Sequence, residues 1–316
     1  MSDETPGGPA LARCGATYVD GRSERYPGQL LDLHDPPPGL FLRGRSLPPS
    51  DRLVAIVGAR ACSPLGRDIA RDLGRRLGAV GWAVVSGAAR GIDAASHEGA
   101  LDAGAPTVAV LGSGIDVAYP ASSAPLIERI ASSGTVVSEY PPGVPAMPFR
   151  FPARNRIVAG LARALIVVEG EEGSGSLISA EHALDLGRPV MAVPGSITSP
   201  LAAVPNALIR EGAALVRGVD DVFAELGIET PSGGMDAGTD PEADQLTEPE
   251  RRALAALRDR TLPEVVAAAL GVGVAEALPV LLALELKGLV RSVGGRFERR
   301  ITASTPGRRR GRVDGA

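Results

Sequence analysis

The chain has 316 residues, enough for two domains at about 150 residues each. Hydrophobic residues make up 44% of it but aromatics only 3%, with 40 Gly and 27 Pro, so an aliphatic core and many tight turns are expected. Cys14 and Cys62 are too few for a disulfide scaffold and lack metal-ligand spacing, and no apolar run approaches the about 20 residues of a membrane span, which predicts a soluble cytoplasmic protein with no metal or cofactor.

The net charge of −4 is unevenly distributed. Residues 226–250 hold seven acids and no base, whereas residues 251–316 hold thirteen bases and six acids. Lys287 is the only lysine, so arginine carries almost all positive charge; codon bias gives the same composition, and only arginines in special positions carry information.

In chain order, residues 1–17 are small and polar and are expected to be disordered. From Tyr26 to Arg45 the proline-rich stretch YPGQLLDLHDPPPGLFLRGR reads as an irregular segment laid on the next domain. Seven apolar runs follow: LVAIVG from Leu53, AVVSG from Ala83, TVAVLG from Thr107, TVVSE from Thr135, ALIVVE from Ala164, PVMAV from Pro189 and AALV from Ala213. They are continuously apolar rather than alternating, the pattern of parallel strands covered on both faces. With helix-length stretches between them they predict a doubly wound α/β sheet of about seven strands. Ser63 before Pro64 reads as an N-cap with proline at the first helical position, and Gly81, Gly104 and Gly187 read as helix stops.

The boundaries expected are a Rossmann-like domain over 18–228, an acidic linker over 229–245, a small C-terminal domain over 246–302 and a basic tail over 303–316. In the small domain, Thr247 with Glu250 and Thr261 with Glu264 read as capping boxes. A third helix, VAEALPVLLALELKG, ends at Gly288, and LVRSVGGRFERR reads as a hairpin turning at Gly294 and Gly295. Three helices and a hairpin form a winged-helix pattern, whose third helix carries only Lys287 as a base and so suits a protein-contact or regulatory role better than duplex reading.

An open parallel sheet gathers ligands at the carboxyl ends of its strands. Here those ends carry Gly58 and Arg60, then Ser86, Gly87 and Arg90, then Gly112 to Gly114, then Ser174, Gly175 and Ser176 opening a helix, all suited to phosphate. The G-x-G-x-x-G fingerprint and the P-loop are both absent. For an enzyme the signals are weak: there is no G-x-S-x-G elbow, and His34, His97 and His182 read as structural. Glu139 and Glu169 end strands at the ligand edge, as acid–base groups or, better, as ion-pair partners for arginines.

The stretch FRFPARNRIVAG (149–160) places Arg150, Arg154 and Arg156 beside Phe149 and Phe151. Arginines among aromatics suit single-stranded nucleic acid, where charge follows the backbone and each stacked base contributes about 1–3 kcal/mol. Structural arginines paired with Glu139 or Glu169 account for the residues equally well, and composition alone leaves both readings open.

VAIVGAR, SGAARGIDAASHEGAL, VLGSGIDVAYP, SEYPPG, FPARNRIVAGLARALIVVEGEEGSGSLISAEHALDLGRPVMAVPGS and ALIREGA follow one another as in the DNA-processing protein A (DprA/Smf) family, which residues 26–226 resemble, with the last 70 residues resembling its C-terminal winged helix. The resemblance implies an extended Rossmann-like fold, a homodimer and no catalysis. It implies sequence-independent binding of single-stranded DNA and its delivery to RecA past single-strand-binding protein during natural transformation. Arg60, the SGxARGID loop with Ser86, Gly87 and Arg90, the FPxRNR signature with Arg154, Asn155 and Arg156, and the SGSL loop of Ser174 to Ser176 match the family's site, with Phe151 as base-contacting aromatic. The chain departs from it in lacking lysines after Tyr119-Pro120 and before SGSL, which predicts a weaker or narrower groove, and in carrying Val204 and Pro205 where Gly and Thr are usual, near the dimerisation region. The alternative function is a nucleotide-processing enzyme of the lysine-decarboxylase-like phosphoribohydrolase type, of whose PGGxGT signature EEGSGSLISAE is a loose echo.

Overall fold

A computed structural model describes residues 8–228, 246–257, 261–287 and 289–299. The chain divides into two compact units, Met1–Ser232 and Gly233–Ala316. The expected linker and basic tail lie outside the described residues, as does Gly288, the expected end of the third helix of the small domain.

All seven expected strands form: β3 (Leu53–Val57), β4 (Ala83–Ser86), β5 (Thr107–Leu111), β6 (Thr135–Ser138), β7 (Ala164–Val167), β8 (Val190–Ala192) and β9 (Ala214–Leu215). Two more precede them, β1 (Ala16–Asp20) and β2 (Gly39–Gly44), giving one sheet in the order β1-β2-β6-β5-β4-β3-β7-β8-β9. β3 to β9 are mutually parallel, and β1 and β2 extend the sheet antiparallel from β6.

This corrects two expectations. Residues 8–14, expected to be disordered, form the helix α1 (Gly8–Cys14), whose Leu11 is buried. GLFLRG, expected to be irregular, is β2, where Leu40, Phe41 and Leu42 give a buried strand its usual apolar run.

The helices between strands are α2 (Pro64–Ala79), α3 (Ile92–Asp102), α4 (Ala124–Ser133), α5 (Arg150–Leu161), α6 (Gly175–Asp185), α7 (Ala203–Arg210) and, after β9, α8 (Val219–Glu225). Side chains alternate across a strand, and β3 shows why its run is unbroken: Leu53, Ala55 and Val57 pack with α5, α6 and α7, while Val54 and Ile56 pack with α2, α3 and α8. Ser63 caps α2 as expected, its hydroxyl accepting from the Gly66 amide at 2.9 Å.

The second unit holds α9 (Glu248–Ala256), α10 (Pro263–Leu270), α11 (Val274–Leu286) and a hairpin of β10 (Val290–Val293) and β11 (Arg296–Arg299). Gly294 and Gly295, with φ of +59° and +74°, make the two-residue turn in which both central residues need positive φ. The capping box at Thr247 and Glu250 forms. The second does not: α10 is capped at Leu262, and Thr261 instead exchanges backbone hydrogen bonds of 2.8 Å with Phe297 of β11. Lys287 Nζ donates to both Glu250 oxygens, at 2.7 and 2.8 Å, so the lysine ties α11 to α9. The exposed side of α11 is apolar, with Leu278, Leu282 and Leu286 four residues apart.

Candidate nucleic-acid interface

β3 and β7 are neighbours at the centre of the sheet, and the order of connection reverses between them, since β3 leads to β4 on one side and β7 to β8 on the other. Loops leaving two such strands diverge and open a crevice at their carboxyl ends. The crevice is a cavity of about 570 Å³, bordered by residues 58–61 after β3 and residues 173–176 after β7, with Tyr119 and Phe151 among its walls. Of the twelve residues expected at the site, nine line it; Ser86, Arg90 and Arg156 do not.

Those three have other placements. Ser86 is fully buried, and its hydroxyl donates to the Ile56 carbonyl at 2.6 Å, joining β4 to β3. Arg90 is exposed but lies outside the cavity wall. Arg156 pairs with Glu139 at 2.6 Å and donates to the Asp35 carbonyl at 2.9 Å, fixing α5 to the proline-rich segment. Burial pulls its pKa down, but hydrogen bonding to Glu139 and that charge outweigh burial and raise it. Of the two open readings of FRFPARNRIVAG, ion-pair anchoring describes Arg156.

Arg154 is also buried, at 4% exposure, yet it makes no ion pair with a carboxylate among the described residues. Its Nη1 donates to the Val110 carbonyl at the end of β5, at 2.7 Å. Burial lowers its pKa to about 10, partly offset by the charge of Asp93. Burial conversely raises Asp93, and the Arg154 charge is the first force holding it down. Asp93 also accepts from the Ala89 amide at 3.3 Å, which secures the loop after β4. Gly87 is required by close approach: a Cβ there would lie 1.8 Å from Arg154 Nη1.

Arg60 differs from both. It is exposed at the cavity rim with its guanidinium carbon 5.2 Å from the Phe151 ring centroid, and it makes no ion pair among the described residues. Phe151 lies in turn 5.3 Å from the Tyr119 ring. Tyr119, 53% exposed, is a wall residue that sequence reasoning missed; its signal was the Tyr-Pro pair, read there only for the lysines absent after it.

Across the cavity, Ser174 caps α6 with extended backbone, and Ser174 Oγ and Ser176 Oγ share a hydrogen bond of 2.6 Å. Asn155 Nδ2 donates to the Gly175 carbonyl at 3.1 Å and so locks α5 to α6. The partial positive charge of a helix N-terminus therefore borders the same cavity that Arg60 lines.

Among the described residues Glu169 forms no ion pair with an arginine. Its carboxylate accepts from the Ser63 amide at 2.8 Å and the Ser63 hydroxyl at 2.6 Å, fastening α2 to the end of β7, and neither it nor Glu139 lines the cavity. Val204 and Pro205 are buried, Val204 N donating to the Gly170 carbonyl beneath the serine loop at 3.0 Å. Among the described residues no cluster of His, Cys, Asp and Glu could hold a metal ion, and no single helix is long and apolar enough to cross a membrane.

Residues 17–227 match the model of DNA recombination-mediator protein A, and residues 237–296 match the DprA winged helix domain. The chain belongs to the DNA recombination-mediator protein A family. A DNA processing protein DprA of Mycobacterium tuberculosis is 42% identical over 248 residues, covering 78% of this chain and 64% of that protein. The chain thus spans less than two thirds of that relative's length. The crystal structure of DprA from Streptococcus pneumoniae superposes with a TM-score of 0.64 at 40% identity, covering 71% of this chain and 79% of that one. A DprA structure from Helicobacter pylori, described for its single-stranded DNA binding mode, has a TM-score of 0.59 at 28% identity and covers 67% and 95%. Family membership agrees with the resemblance read from the motifs, and the C-terminal unit is the family's winged helix.

Proposed function

We propose that this chain binds single-stranded DNA without sequence preference at the cavity between β3 and β7 and delivers it to RecA, displacing single-strand-binding protein, as a homodimer. The observation that carries the binding reading is one juxtaposition: an exposed guanidinium over the Phe151 ring, without an ion pair among the described residues, lines the same cavity as a serine-bearing helix N-terminus. Phosphate suits the helix N-terminus, the serine hydroxyls and Arg60; a base of any identity suits the faces of Phe151 and Tyr119. Arg154 and Asn155 act from below, one by its buried charge and the other by holding the two helices together. The H. pylori relative supports the choice of strand, and the family's recombination-mediator description supports RecA as recipient. Glu171 on the cavity wall, where a lysine would add charge, supports modest affinity.

Titration of a labelled dT oligonucleotide followed by fluorescence anisotropy tests the binding. The logarithm of affinity falls linearly with the logarithm of salt, by about 0.7 per phosphate contacted. Arg60→Ala combined with Phe151→Ala abolishes the signal with the circular dichroism spectrum unchanged. Undiminished binding by that folded double variant refutes the placement. Delivery is read as wild-type stimulation of RecA filament growth on DNA coated with single-strand-binding protein; no stimulation refutes that part alone.

A further inference from the structure

Two residues before Phe151 the chain builds a second aromatic–guanidinium stack that the cavity does not use. The Arg150 guanidinium carbon lies 4.7 Å from the Tyr140 ring centroid and 5.5 Å from that of Phe149. Phe149, at the N-cap of α5, is 66% exposed. A single exposed apolar side chain needs no explanation. One stacked on a fixed cation in a chain with only five phenylalanines offers a flat, charged face to solvent.

The guanidinium of the stack is anchored within the chain. Arg150 Nη1 donates to the Pro145 carbonyl, and Arg150 makes no ion pair among the described residues, so its charge is uncompensated. The loop behind it carries Pro141, Pro142, Pro145 and Pro148 and is fastened by Gly114 N to the Val144 carbonyl and by Gly143 N to Asp116, both at 2.7 Å. The first amides of α5 are already spent: Arg150 N donates to the Met147 carbonyl, Phe151 N to that of Pro148, and Pro152 has none. This end of α5 therefore offers no amide nest for phosphate, only ring faces and a guanidinium. Pro148, the residue before Phe149, lines the cavity, so the stack adjoins its rim.

We infer that Tyr140, Phe149 and Arg150 form a second stacking platform, which takes the base of a nucleotide neighbouring the one in the cavity. The inference rests on the reading of the cavity as a single-stranded DNA site. Stacking on an aromatic face tolerates every base, so the platform lengthens the contact without adding sequence preference.

The test titrates the full chain, Phe149→Ala, Phe149→Leu, Phe149→Trp and Arg60→Ala with a dT oligonucleotide of about 16 nucleotides and with an abasic strand of equal length. Phe149→Ala and Phe149→Leu weaken binding of the dT strand by about 5-fold or more and leave the abasic strand unchanged; Phe149→Trp restores wild-type affinity. Arg60→Ala weakens both strands. If Phe149→Ala or Phe149→Leu binds the dT strand as wild type does while Arg60→Ala loses it, the platform is refuted and the cavity stands. If the full chain binds neither strand, the cavity reading falls and takes the platform with it.

Discussion

Replacing Arg154 with methionine separates a buried positioning residue from a direct DNA contact. The side chain is 4% exposed, donates to the Val110 carbonyl at 2.7 Å and supplies the positive charge that most lowers the pKa of buried Asp93. Methionine fills similar length but removes both services. Loss of a charged donor from a buried carbonyl costs about 1–3 kcal/mol. Asp93 is left buried without that charge, which adds to this cost. Urea denaturation at neutral pH measures it, with Arg60→Met as control; Arg60 is exposed and makes no ion pair among the described residues, so its change stays within about 0.5 kcal/mol. Asp93→Asn added to Arg154→Met recovers part of the loss, because a neutral amide needs no counter-charge. A folded Arg154→Met protein of wild-type stability that has lost all DNA affinity would refute this reasoning and restore Arg154 as a direct contact.

His97 gives a pH dependence of defined sign. It is fully buried; Thr107 Oγ1 donates to the Val84 carbonyl, so it accepts from His97 Nδ1–H at 2.7 Å, leaving Nε2 as a buried acceptor without a partner. Burial lowers its pKa from 6.5 to about 3, so its contribution to stability is whole above pH 6.5 and is lost as pH falls toward 3. That loss amounts to about 5 kcal/mol. Wild type and His97→Leu therefore converge in denaturation midpoint on acidification; parallel curves contradict it. Gly87→Ala drives a Cβ to 1.8 Å from Arg154 Nη1 and costs about 1–3 kcal/mol by overpacking, with DNA affinity reduced as the loop after β4 shifts; calorimetry and anisotropy check the two effects. Arg156→Met frees the Asp35 carbonyl and leaves Glu139 without its partner, so limited proteolysis finds new cleavage within residues 26–45 while the cavity's affinity for DNA changes less than with Arg60→Ala.

Most of the sheet was legible because its strands are buried on both faces. Val54 to Val57 cannot include a polar residue, and the resulting runs stand out against helix-length intervals. β2 was missed although Leu40, Phe41 and Leu42 are as apolar, because the three prolines before it signal irregular chain. α1 was missed because seven residues, GPALARC, are too few to show a helical period. The site was legible as a set of loops, not as a set of roles. Ser86 ends a strand like a ligand residue but points between strands, and Arg154 and Arg156, two residues apart on a helix, face different surroundings. Only the position of α5 against β5 and the proline-rich segment decides which guanidinium is buried, which is paired and, at Arg60 on another loop, which stays free.

Hydrogen–deuterium exchange of the full chain with and without a dT oligonucleotide tests the central claim most directly. The account predicts slower exchange of amides in residues 58–61 and 173–176, on both sides of the β3–β7 cavity, with α11 and the β10–β11 hairpin unchanged. Protection confined to α11 and the hairpin, with both cavity loops exchanging as in the free protein, would contradict it.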